Sequence, residues 1–501
     1  MPLLSLFRSA LKVPGDSPPS LTREKIQGQS GKIRLADSDD ESKLDLFCYN
    51  KCDNTENQLV KNCRGVVFNG DDIVVRGFPY TEEFVTEVEN SASEMGIADL
   101  KKVMSKPMSS YKYFEAHEGA LLRMFYWKSK WYISTHRKLD AFRSKWASKE
   151  SFGQMFKAAL ESLWITKDEK FMAQLASVEK CDLDVSPGGV DASSTEPDQE
   201  ETPDVVREFQ ASLDKTKQYM FLVLNNYDNR IVCMAPDSPT VYHVGTVRTE
   251  MLNDVMIPST RVELNTEENK VGIKWPTEHK FMSWDDLEKN VAEQNSEHLQ
   301  GIIIYDTDST KQYKLFNHEY QTLFKVRGNE PSVKYRYLQV RMDKKMVNQL
   351  YYLYPKYADT FDDYENTLYE CAKQINKNYI DRFIKKKYVT VPKEEFVIIK
   401  ACHDWHLQDR EKNRISLRKV LDTLNEQNSS NLNKIIRRYK SEEMKDQLAR
   451  QPKMTRLRAR SYSDDPRQPS YTDRQQVNNH ATHASAPDQP NSSSSNARVE
   501  Q

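Results

Sequence analysis

The residues best suited to chemistry lie in one stretch, Tyr111–Trp146. Within it, Glu118-Gly119 places a carboxylate beside a residue without a Cβ, where a ligand could approach the backbone closely. A dense group of cationic or potentially cationic residues follows: His136, Arg137, Lys138, Arg143 and Lys145. This combination suits the binding of a nucleotide or of a nucleic-acid phosphate backbone. It also fits an aromatic-packed hairpin with a solvated basic end, and the stretch alone leaves both interpretations open.

The positions of these groups depend on a predicted β-hairpin. Leu121–Trp127 and Trp131–Ser134 are rich in aliphatic and aromatic residues, and the polar Lys128-Ser129-Lys130 separates them, which is typical of two strands and a turn. If the chain turns at the centre of this tripeptide, strand pairing places Lys138 opposite Ala120. The pattern therefore predicts that Lys138 lies close to the acid and glycine at the start of the hairpin.

Composition sets the broad class of the protein. The chain has 501 residues, and its 73 basic and 74 acidic residues nearly cancel, so overall charge does not point to nucleic acid. The seven cysteines are an odd number without CxxC pairs, which favours free thiols in a reducing compartment over disulfides or a zinc site. No apolar run reaches the roughly 18 residues of a membrane span, and no signal-peptide core is evident. We expect an intracellular, cytoplasmic protein without a membrane partner.

Shifts in composition predict the domain organisation. We expect a flexible arm at 1–44, a first domain at 45–330, a helical domain at 331–440 and a disordered tail at 441–501. Residues 13–44 of the arm are rich in Pro, Ser, Asp and Lys, and the tail is polar and repetitive. Within the first domain, residues 179–208 are acidic and rich in Pro, Ser and Gly, which predicts a disordered insertion.

Short apolar runs predict the strands of the first domain around the hairpin. They are Arg64–Phe68, Ile73–Phe78, Tyr219–Leu224, Asn229–Val232, His298–Tyr305 and Gln312–Phe316. The composition of Asn69-Gly70-Asp71-Asp72 predicts a tight turn between the first two runs. Helical spacing of apolar residues within 147–178 predicts a helix in the same domain.

Apolar stripes at helical spacing indicate that the second domain is all-α. The stripes cover 361–383, 415–424 and 432–439, and Pro392 begins a further helix. Stripes of this kind are usually core, and we interpret them so. The basic runs Lys385-Lys386-Lys387 and Arg437-Arg438 could contact phosphates, although such runs are more often solvated faces. His403 and His406 lack an evident third ligand, so we expect no metal site.

The order and spacing of these pieces resemble the ATP-dependent RNA ligases of the phage tRNA-repair type, members of the covalent nucleotidyltransferase superfamily. The matching segments are Cys63–Phe68, Arg76–Phe84, Ala116–Leu121, Ser134–Ser144, Asn229–Val232, Gln300–Ile303 and Lys314–Phe316. The resemblance covers roughly residues 45–330. It implies an α+β chain, with a nucleotidyltransferase domain of ATP-grasp-like antiparallel sheets followed by an all-α domain. It also implies ATP and Mg²⁺ as cofactors of an active enzyme, RNA as partner, and relatives among large DNA viruses.

Four positions depart from the family pattern. The resemblance places the nucleophilic lysine of the first motif at Ala116, the third-motif acid at Val223, the fourth-motif glutamate at Gln300 and the second fifth-motif lysine at Phe316. An alanine cannot attack a phosphate, and a glutamine lacks the negative charge of a strong Mg²⁺ ligand. Loss of the lysine removes a cation that would neutralise the reacting phosphates. Each change removes a group that adenylation needs.

The retained basic residues are candidates for binding phosphate, together with the glycine of the first motif. They are Arg64, Arg76, Gly119, Arg123, Arg137, Lys138, Arg230 and Lys314. A replacement nucleophile must lie near Ala116. Lys112 lies four residues earlier on the same predicted strand, about 13 Å away, and cannot reach. Lys138, as a displaced nucleophile, and Glu118 are therefore the candidate catalytic residues.

Three functions remain open from sequence. The first is an adenylation-defective RNA-ligase-like protein that acts through RNA or nucleotide binding. The second is an active RNA ligase that seals 3′-OH and 5′-phosphate ends with a relocated lysine. The third is a protein-interaction scaffold that works through the helical domain or the acidic insertion. A covalent adenylate distinguishes the second from the first, and salt-dependent RNA binding would count against the third.

Overall fold

The structure is a computed structural model that describes residues 21–88, 94–164, 204–252, 255–259, 261–266, 271–307 and 311–450. These residues form an α+β chain in which largely antiparallel sheets precede a helical C-terminal region, as predicted. The chain divides into two compact units, Met1–Ala358 and Asp359–Gln501. This division falls after the boundary expected at 330/331, because two short helices beyond that point belong to the first unit.

The first sheet is a four-stranded antiparallel meander. Its strands, in both spatial and chain order, are β1 (Ile33–Asp39), β2 (Leu44–Tyr49), β3 (Arg64–Asn69) and β4 (Asp72–Val75). The predicted turn at Asn69–Asp72 is confirmed, since Asn69 pairs with Asp72.

The expected flexible arm is wrong for residues 21–44. Helix α1 (Arg23–Gln27) and strand β1 lie in this segment. Leu21, Ile26 and Ile33 are buried and join one hydrophobic cluster. When a segment buries apolar side chains in a core, the free energy gained from burial offsets the conformational entropy lost on ordering. Residues 1–20 lie outside the described residues.

Two five-stranded sheets form the rest of the β structure. One contains β7 (Gly119–Trp127), β8 (Lys130–Ser134), β9 (Lys217–Leu224), β10 (Val241–Leu252) and β11 (Val255–Pro258), in the order β11-β10-β9-β7-β8. The other contains β5 (Glu82–Val85), β6 (Tyr111–Ala116), β12 (Glu278–His279), β13 (Gly301–Asp306) and β14 (Gln312–Phe316), in the order β12-β6-β13-β14-β5. Only the β14–β5 pair is parallel among the pairings of the described strands.

Helices cover these sheets and complete the first unit. They are α2 (Gln58–Asn62), α3 (Ile97–Val103), α4 (152–164), α5 (Val205–Ala211), α6 (Trp284–Ala292), α7 (His318–Arg327), α8 (Val333–Val340) and α9 (Lys344–Leu353). Helices α4 and α5 pack on the second sheet, where the rings of Phe156 and Phe209 both contact Phe221. Helices α3 and α6 contribute Leu100 and Leu287 to the core of the third sheet.

The second unit is helical, as predicted. It contains α10 (Ala358–Tyr379), α11 (Lys393–Gln408), α12 (Leu417–Asn425) and α13 (Ser429–Arg450). The apolar stripe of α10 is core, since Phe361, Leu368 and Ile375 are buried. Among the described residues, no helix is both long and apolar enough to span a membrane.

Two segments expected to be disordered are ordered in part. Residues 204–208 of the predicted insertion form the start of α5, where the Asp204 carboxylate accepts a hydrogen bond from the backbone of Val206 and Phe209 is buried. Residues 441–450 of the predicted tail continue α13. The rest of both segments, 179–203 and 451–501, lies outside the described residues.

The hairpin around which the candidate site was predicted is confirmed, but its extent is not. Strands β7 and β8 pair through Trp127 with Lys130 and Arg123 with Ser134, where β8 ends. Ala120 instead pairs with Val223 of β9. The expected placement of Lys138 opposite Ala120 is therefore wrong, because β8 ends at Ser134 and the chain turns there, with the Thr135 N–H donating to the Lys138 carbonyl.

Candidate functional site

A cavity of about 540 Å³ lies where strands of all three sheets approach one another. Its wall includes Arg64 from β3, Ala116 from β6, Gly119 from β7 and Lys314 from β14. Strand β6 ends at Ala116 and β7 begins at Gly119. The short connection between them therefore passes from one sheet to another at the cavity, and it carries the acid of the first motif.

Ala116 occupies the position that the resemblance assigns to the nucleophile. It lines the cavity, is 3% exposed and pairs with Gly301. Gly301 has a φ of +141°, and a Cβ on it would lie 2.0 Å from the carbonyl oxygen of Leu315. Glycine is required here for a packing reason. The strand ends are thus held closely together around a methyl group, at the position where the resemblance would place a lysine amine.

Gly119 lines the cavity, but its missing side chain serves a different purpose from the one predicted. A Cβ on Gly119 would lie 2.4 Å from the carbonyl oxygen of Val223. The close neighbour is therefore the backbone of β9, and the residue type is explained by strand packing. Close approach of a ligand is not needed to account for it.

Glu118 is a buried carboxylate that accepts hydrogen bonds from all sides. Its oxygens accept from the backbone N–H groups of Val232 at 2.9 Å and Cys233 at 3.1 Å, and from that of Ile231. The Asn225 amide and the Tyr320 hydroxyl each donate to it at 3.2 Å. With five donors, the carboxylate is saturated. Its geometry is that of a group that holds a loop in place, rather than of a proton-transfer catalyst.

The same contacts correct the strand expected at Asn229–Val232. This segment is a non-strand connection between β9 and β10. Its apolar residues suggested a strand, but backbone N–H groups of Ile231 and Val232 donate to a carboxylate and are not available for a ladder. The buried carboxylate of Glu118 accepts the backbone hydrogen bonds that a neighbouring strand would otherwise accept.

A chain of hydrogen bonds joins the fourth and fifth motif positions to Glu118. Lys314 Nζ donates to Gln300 Oε1 at 2.8 Å, and Gln300 Nε2 donates to the Tyr320 hydroxyl at 2.6 Å. The hydroxyl then donates to Glu118. Burial lowers the pKa of Lys314. The amide of Gln300 can accept from the lysine and donate to the tyrosine at once, which a carboxylate at this position could not do.

Four of the residues predicted to bind phosphate line the cavity. They are Arg64, Gly119, Arg137 and Lys314. The Arg64 guanidinium donates to the carbonyl oxygen of Pro79 at 3.3 Å, which leaves further N–H groups available. Arg137 is exposed at the rim, as is Lys145, which also lines the cavity. The cavity therefore combines two partly buried cations with two exposed ones.

Lys138 lies outside this lining. Its ammonium is 3.2 Å from the Asp37 carboxylate, in an ion pair with β1. The ammonium faces the first sheet because the chain leaves β8 at Ser134 and turns, with Thr135 N–H donating to the Lys138 carbonyl. The backbone of Lys138 thus contacts Thr135 of the cavity wall, but its ammonium is directed to Asp37.

Arg123, Arg230 and Arg76 also lie outside the lining. Arg123 is 2% exposed and donates to the carbonyl oxygens of Gly65 and Thr135, the latter at 2.7 Å. Burial lowers its pKa to about 10. Arg230 is 6% exposed and donates to the Leu353 carbonyl at 2.7 Å. These two guanidinium groups join backbone segments of the first unit.

Sequence reasoning missed other residues of the cavity. Tyr320 links two predicted positions, yet it lies 202 residues from Glu118 and no local pattern marks it. The Glu115 carboxylate lies 3.5 Å from His117 Nε2 and 3.6 Å from His279 Nε2. The hydrogen bond from His117 lowers the pKa of Glu115 to about 2. Alternation along β6 could have placed Glu115 on the face of Tyr113 and Tyr111, but gave no indication of its histidine partners.

His136 contributes no positive charge near neutral pH. Burial, aided by Arg64 and Arg137, lowers the pKa of His136 from 6.5 to about 3. The sequence counted it among the potential cations. In the folded protein the neutral form is favoured, first because burial penalises the charged imidazolium and second because nearby guanidinium groups repel it.

The lowered pKa of His136 predicts acid destabilisation. The unfolded state takes up a proton near pH 6.5, whereas the folded state resists it down to about pH 3. The free energy of unfolding should therefore fall as pH drops below 6.5, by at most about 1.4 kcal/mol per pH unit from this group. Urea unfolding of the wild type and of His136→Asn between pH 7.5 and 4.5 measures this slope. The variant should show a shallower slope, and equal slopes would contradict the assignment.

Comparisons with known proteins add viral relatives. The chain is 28% identical to an "Immediate-early protein ICP-46 homolog" of Invertebrate iridescent virus 6 over 378 residues, which cover 74% of this chain and 72% of that protein. It is 29% identical to the homolog of Invertebrate iridescent virus 3, over 61% of this chain and 56% of that one. It is 23% identical to "Immediate-early protein ICP-46" of Frog virus 3 (isolate Goorha), over 57% and 60%.

The remaining comparisons are weaker. No protein-family model matches the sequence. Among solved structures, one described as "Putative ATP-dependent DNA ligase from Aquifex aeolicus" aligns over 71% of this chain and 80% of that chain, with 12% identity and a TM-score of 0.34, which is too low to support an argument about fold. By sequence, this chain is similar to the immediate-early ICP-46 proteins of two invertebrate iridescent viruses and frog virus 3.

Proposed function

We propose that this protein is an RNA-ligase-like nucleotidyltransferase-fold protein that binds a nucleotide or the phosphorylated end of an RNA strand without forming a covalent adenylate. One observation carries the proposal: the cavity that unites the motif positions has Ala116 where the resemblance requires the nucleophilic lysine. A methyl group offers no electron pair for attack on a phosphate. What remains is a pocket with cations around it.

The charge of the cavity supports an anionic ligand. Lys314 and Arg64 line its wall, and Arg137 and Lys145 lie at its rim. Of the acidic residues on the wall, Glu118 already accepts from five donors, and Glu115 lies 3.5 Å from His117 Nε2 and 3.6 Å from His279 Nε2. Glu83, which pairs with Lys314 in the β14–β5 ladder, offsets part of the charge of Lys314 and Arg64. The cations in excess of this carboxylate favour phosphate through charge-assisted hydrogen bonds. A nucleotide and an RNA 5′-phosphate share this chemistry, and Arg64 and Lys314 would hold the phosphates of either.

The main competing function is an active ligase with a relocated lysine. Lys138 does not support it, because its ammonium pairs with Asp37 outside the cavity. Lys314 is a better candidate for that role, since it lines the cavity and burial lowers its pKa, a common property of nucleophilic lysines. Its ammonium already donates to Gln300, which favours a binding role.

An adenylation assay tests the proposal. Purified protein is incubated with α-labelled ATP and either Mg²⁺ or Mn²⁺, and the label that survives a denaturing gel is measured. We expect no label above that of Lys314→Met, because no lysine occupies the first-motif position. A labelled band that is acid-labile and disappears in Lys314→Met or Lys138→Met would establish an active ligase and overturn the proposal.

RNA is the proposed macromolecular partner, and the interior of the host cell is the proposed location. Binding through phosphates should weaken steeply as salt rises, since each neutralised phosphate releases condensed counterions. Filter binding of a 5′-phosphorylated and a 5′-hydroxyl oligoribonucleotide over a salt series measures this. Salt-independent binding, or none, would favour the alternative of a protein scaffold.

A further inference from the structure

We infer that the cavity binds the phosphate groups of its ligand with protein cations alone, without a divalent metal ion. This inference rests on the proposed function, since it concerns how the nucleotide or RNA phosphate is held in the same site. The related ligases imply Mg²⁺, so the question is whether the donor groups present here fit such an ion. Mg²⁺ prefers oxygen ligands, usually one or two carboxylates together with substrate phosphates and water.

Glu118 cannot serve as a ligand in its present contacts. A carboxylate offers about four lone-pair positions. Here one oxygen accepts from Asn225 and Ile231, and the other from Val232, Cys233 and Tyr320. To bind Glu118, a metal ion would have to displace these backbone N–H groups, which have no other acceptor among the described residues. The ion would also lie next to the partial positive charges of the N–H and O–H donors.

Glu115, the other acidic residue among the described lining residues, lies between two imidazoles. Each of its oxygens lies near one imidazole, 3.5 Å from His117 Nε2 and 3.6 Å from His279 Nε2. His117 in turn stacks on Tyr242, with ring centroids 4.7 Å apart. Within the part of the chain that the structure describes, no group of three or more His, Cys, Asp or Glu residues could hold a metal ion.

Gln300 gives the most direct reason. Its Oε1 accepts from Lys314 Nζ at 2.8 Å, and its Nε2 donates to Tyr320. A metal ion bound to Oε1 would lie beside an ammonium, and like charges at such a distance repel strongly in a partly buried site. Lys314 thus places its charge where a metal ion would have to sit. The third-motif position offers no substitute, because Val223 is 1% exposed within the hydrophobic core.

The arrangement has a measurable consequence for solution conditions. A nucleotide with complexed Mg²⁺ carries less negative charge than the free nucleotide. A site that supplies its own cations should therefore prefer the free form, whereas a metal-dependent site should require the complex. Mg²⁺ is therefore expected to weaken nucleotide binding here, whereas it should strengthen binding in the ligases that the sequence resembles.

The experiment measures ATP binding to the full chain by titration calorimetry, first in EDTA and then in millimolar Mg²⁺. A 5′-phosphorylated oligoribonucleotide is measured in the same two buffers. We expect ATP to bind several-fold more weakly in Mg²⁺ than in EDTA, because Mg²⁺ lowers the concentration of the preferred free form. A Kd at least about tenfold tighter in Mg²⁺ would overturn the inference and leave the proposed function standing. Failure of both ATP and the oligonucleotide to bind in either buffer would overturn the proposed function and the inference together.

Two variants of Gln300 sharpen the result. Gln300→Glu adds the carboxylate that the related enzymes carry and places it beside Lys314. We expect about tenfold weaker ATP binding in EDTA, and partial recovery when Mg²⁺ or Mn²⁺ is added. Gln300→Met removes the same amide without adding a charge, so the addition of metal should not tighten its binding of ATP. Metal-dependent tightening in Gln300→Met or in the wild type would contradict the inference.

Mn²⁺ provides a readout that does not depend on affinity. Electron paramagnetic resonance detects free Mn²⁺, and ATP alone already lowers that signal. We expect wild-type protein to raise the free Mn²⁺ signal of an ATP–Mn²⁺ mixture, because it withdraws metal-free ATP from the complex. A further loss of free Mn²⁺ when protein is added would show a metal site and overturn the inference.

Discussion

Glu118→Ala is expected to lower the free energy of unfolding of the first unit by about 3–5 kcal/mol. The carboxylate is 6% exposed and accepts from the backbone N–H groups of Ile231, Val232 and Cys233. Removal of the acceptor leaves buried donors without partners, and each unsatisfied group costs about 1–3 kcal/mol. The connection from β9 to β10 is also held by the Tyr354 hydroxyl, which donates to the carbonyl oxygens of Arg230 at 2.9 Å and Ile231 at 2.7 Å, so the loosening should centre on residues 231–233.

Hydrogen–deuterium exchange locates this effect. In Glu118→Ala, the amides of residues 231–233 should exchange much faster than in the wild type, and thermal unfolding should begin at a lower temperature. Glu118→Gln keeps one acceptor oxygen and should fall between the two. The control is Glu293→Gln, because Glu293 is exposed and its 3.9 Å pair with Lys289 is a surface ion pair. Unchanged protection at residues 231–233 in Glu118→Ala would contradict the role of Glu118 in holding this loop in place.

This result would also separate two roles that the sequence could not distinguish. The resemblance identified Glu118 as the acid of the first motif, and the structure places it at the cavity. An acid beside a glycine suggests chemistry because the sequence shows a charge but not its partners. The partners of Glu118 come from segments more than 100 residues away. Long-range hydrogen bonds of this kind leave no local pattern.

Much of the fold could be predicted because it depends on local alternation and turn composition. The hairpins at Asn69–Asp72 and Lys128–Ser129, strand β9 and the stripe of α10 all follow from side-chain periodicity. The expectation for residues 21–44 is wrong because their polar content hides four buried apolar side chains, Leu21, Ile26, Ile33 and Leu44. Composition averages over a window, whereas burial is decided residue by residue.

The site was predicted less completely, for a different physical reason. Arg123 and Arg230 resembled phosphate ligands, yet both are buried and donate to backbone carbonyls. A guanidinium offers five donors and can bind either a phosphate or a set of carbonyls. Only the three-dimensional environment decides which. The positions that the resemblance supplied, Ala116, Gln300 and Lys314, do converge on one cavity.

Lys314→Met is expected to weaken ATP binding by about 10- to 100-fold, because one charge-assisted hydrogen bond contributes about 1.5–3 kcal/mol. Lys314 lies in the cavity wall and is held by Gln300 at 2.8 Å, so its ammonium is already positioned before a phosphate arrives. Methionine preserves the length of the side chain and removes the charge. Titration calorimetry in EDTA measures the change in Kd, and circular dichroism confirms that the fold is retained.

Lys138→Met is the matched control, and it completes the argument about the lost nucleophile. Lys138 has the same charge and was the sequence-based candidate, but its ammonium pairs with Asp37 outside the cavity. Its replacement should leave the Kd for ATP within about twofold of wild type and cost at most about 1 kcal/mol of stability, as expected for a partly exposed ion pair. If Lys138→Met lost binding and Lys314→Met did not, the ligand would lie near β1 rather than in the cavity. The opposite result would place the phosphate beside Gln300, where a lysine has taken the position of a metal ion.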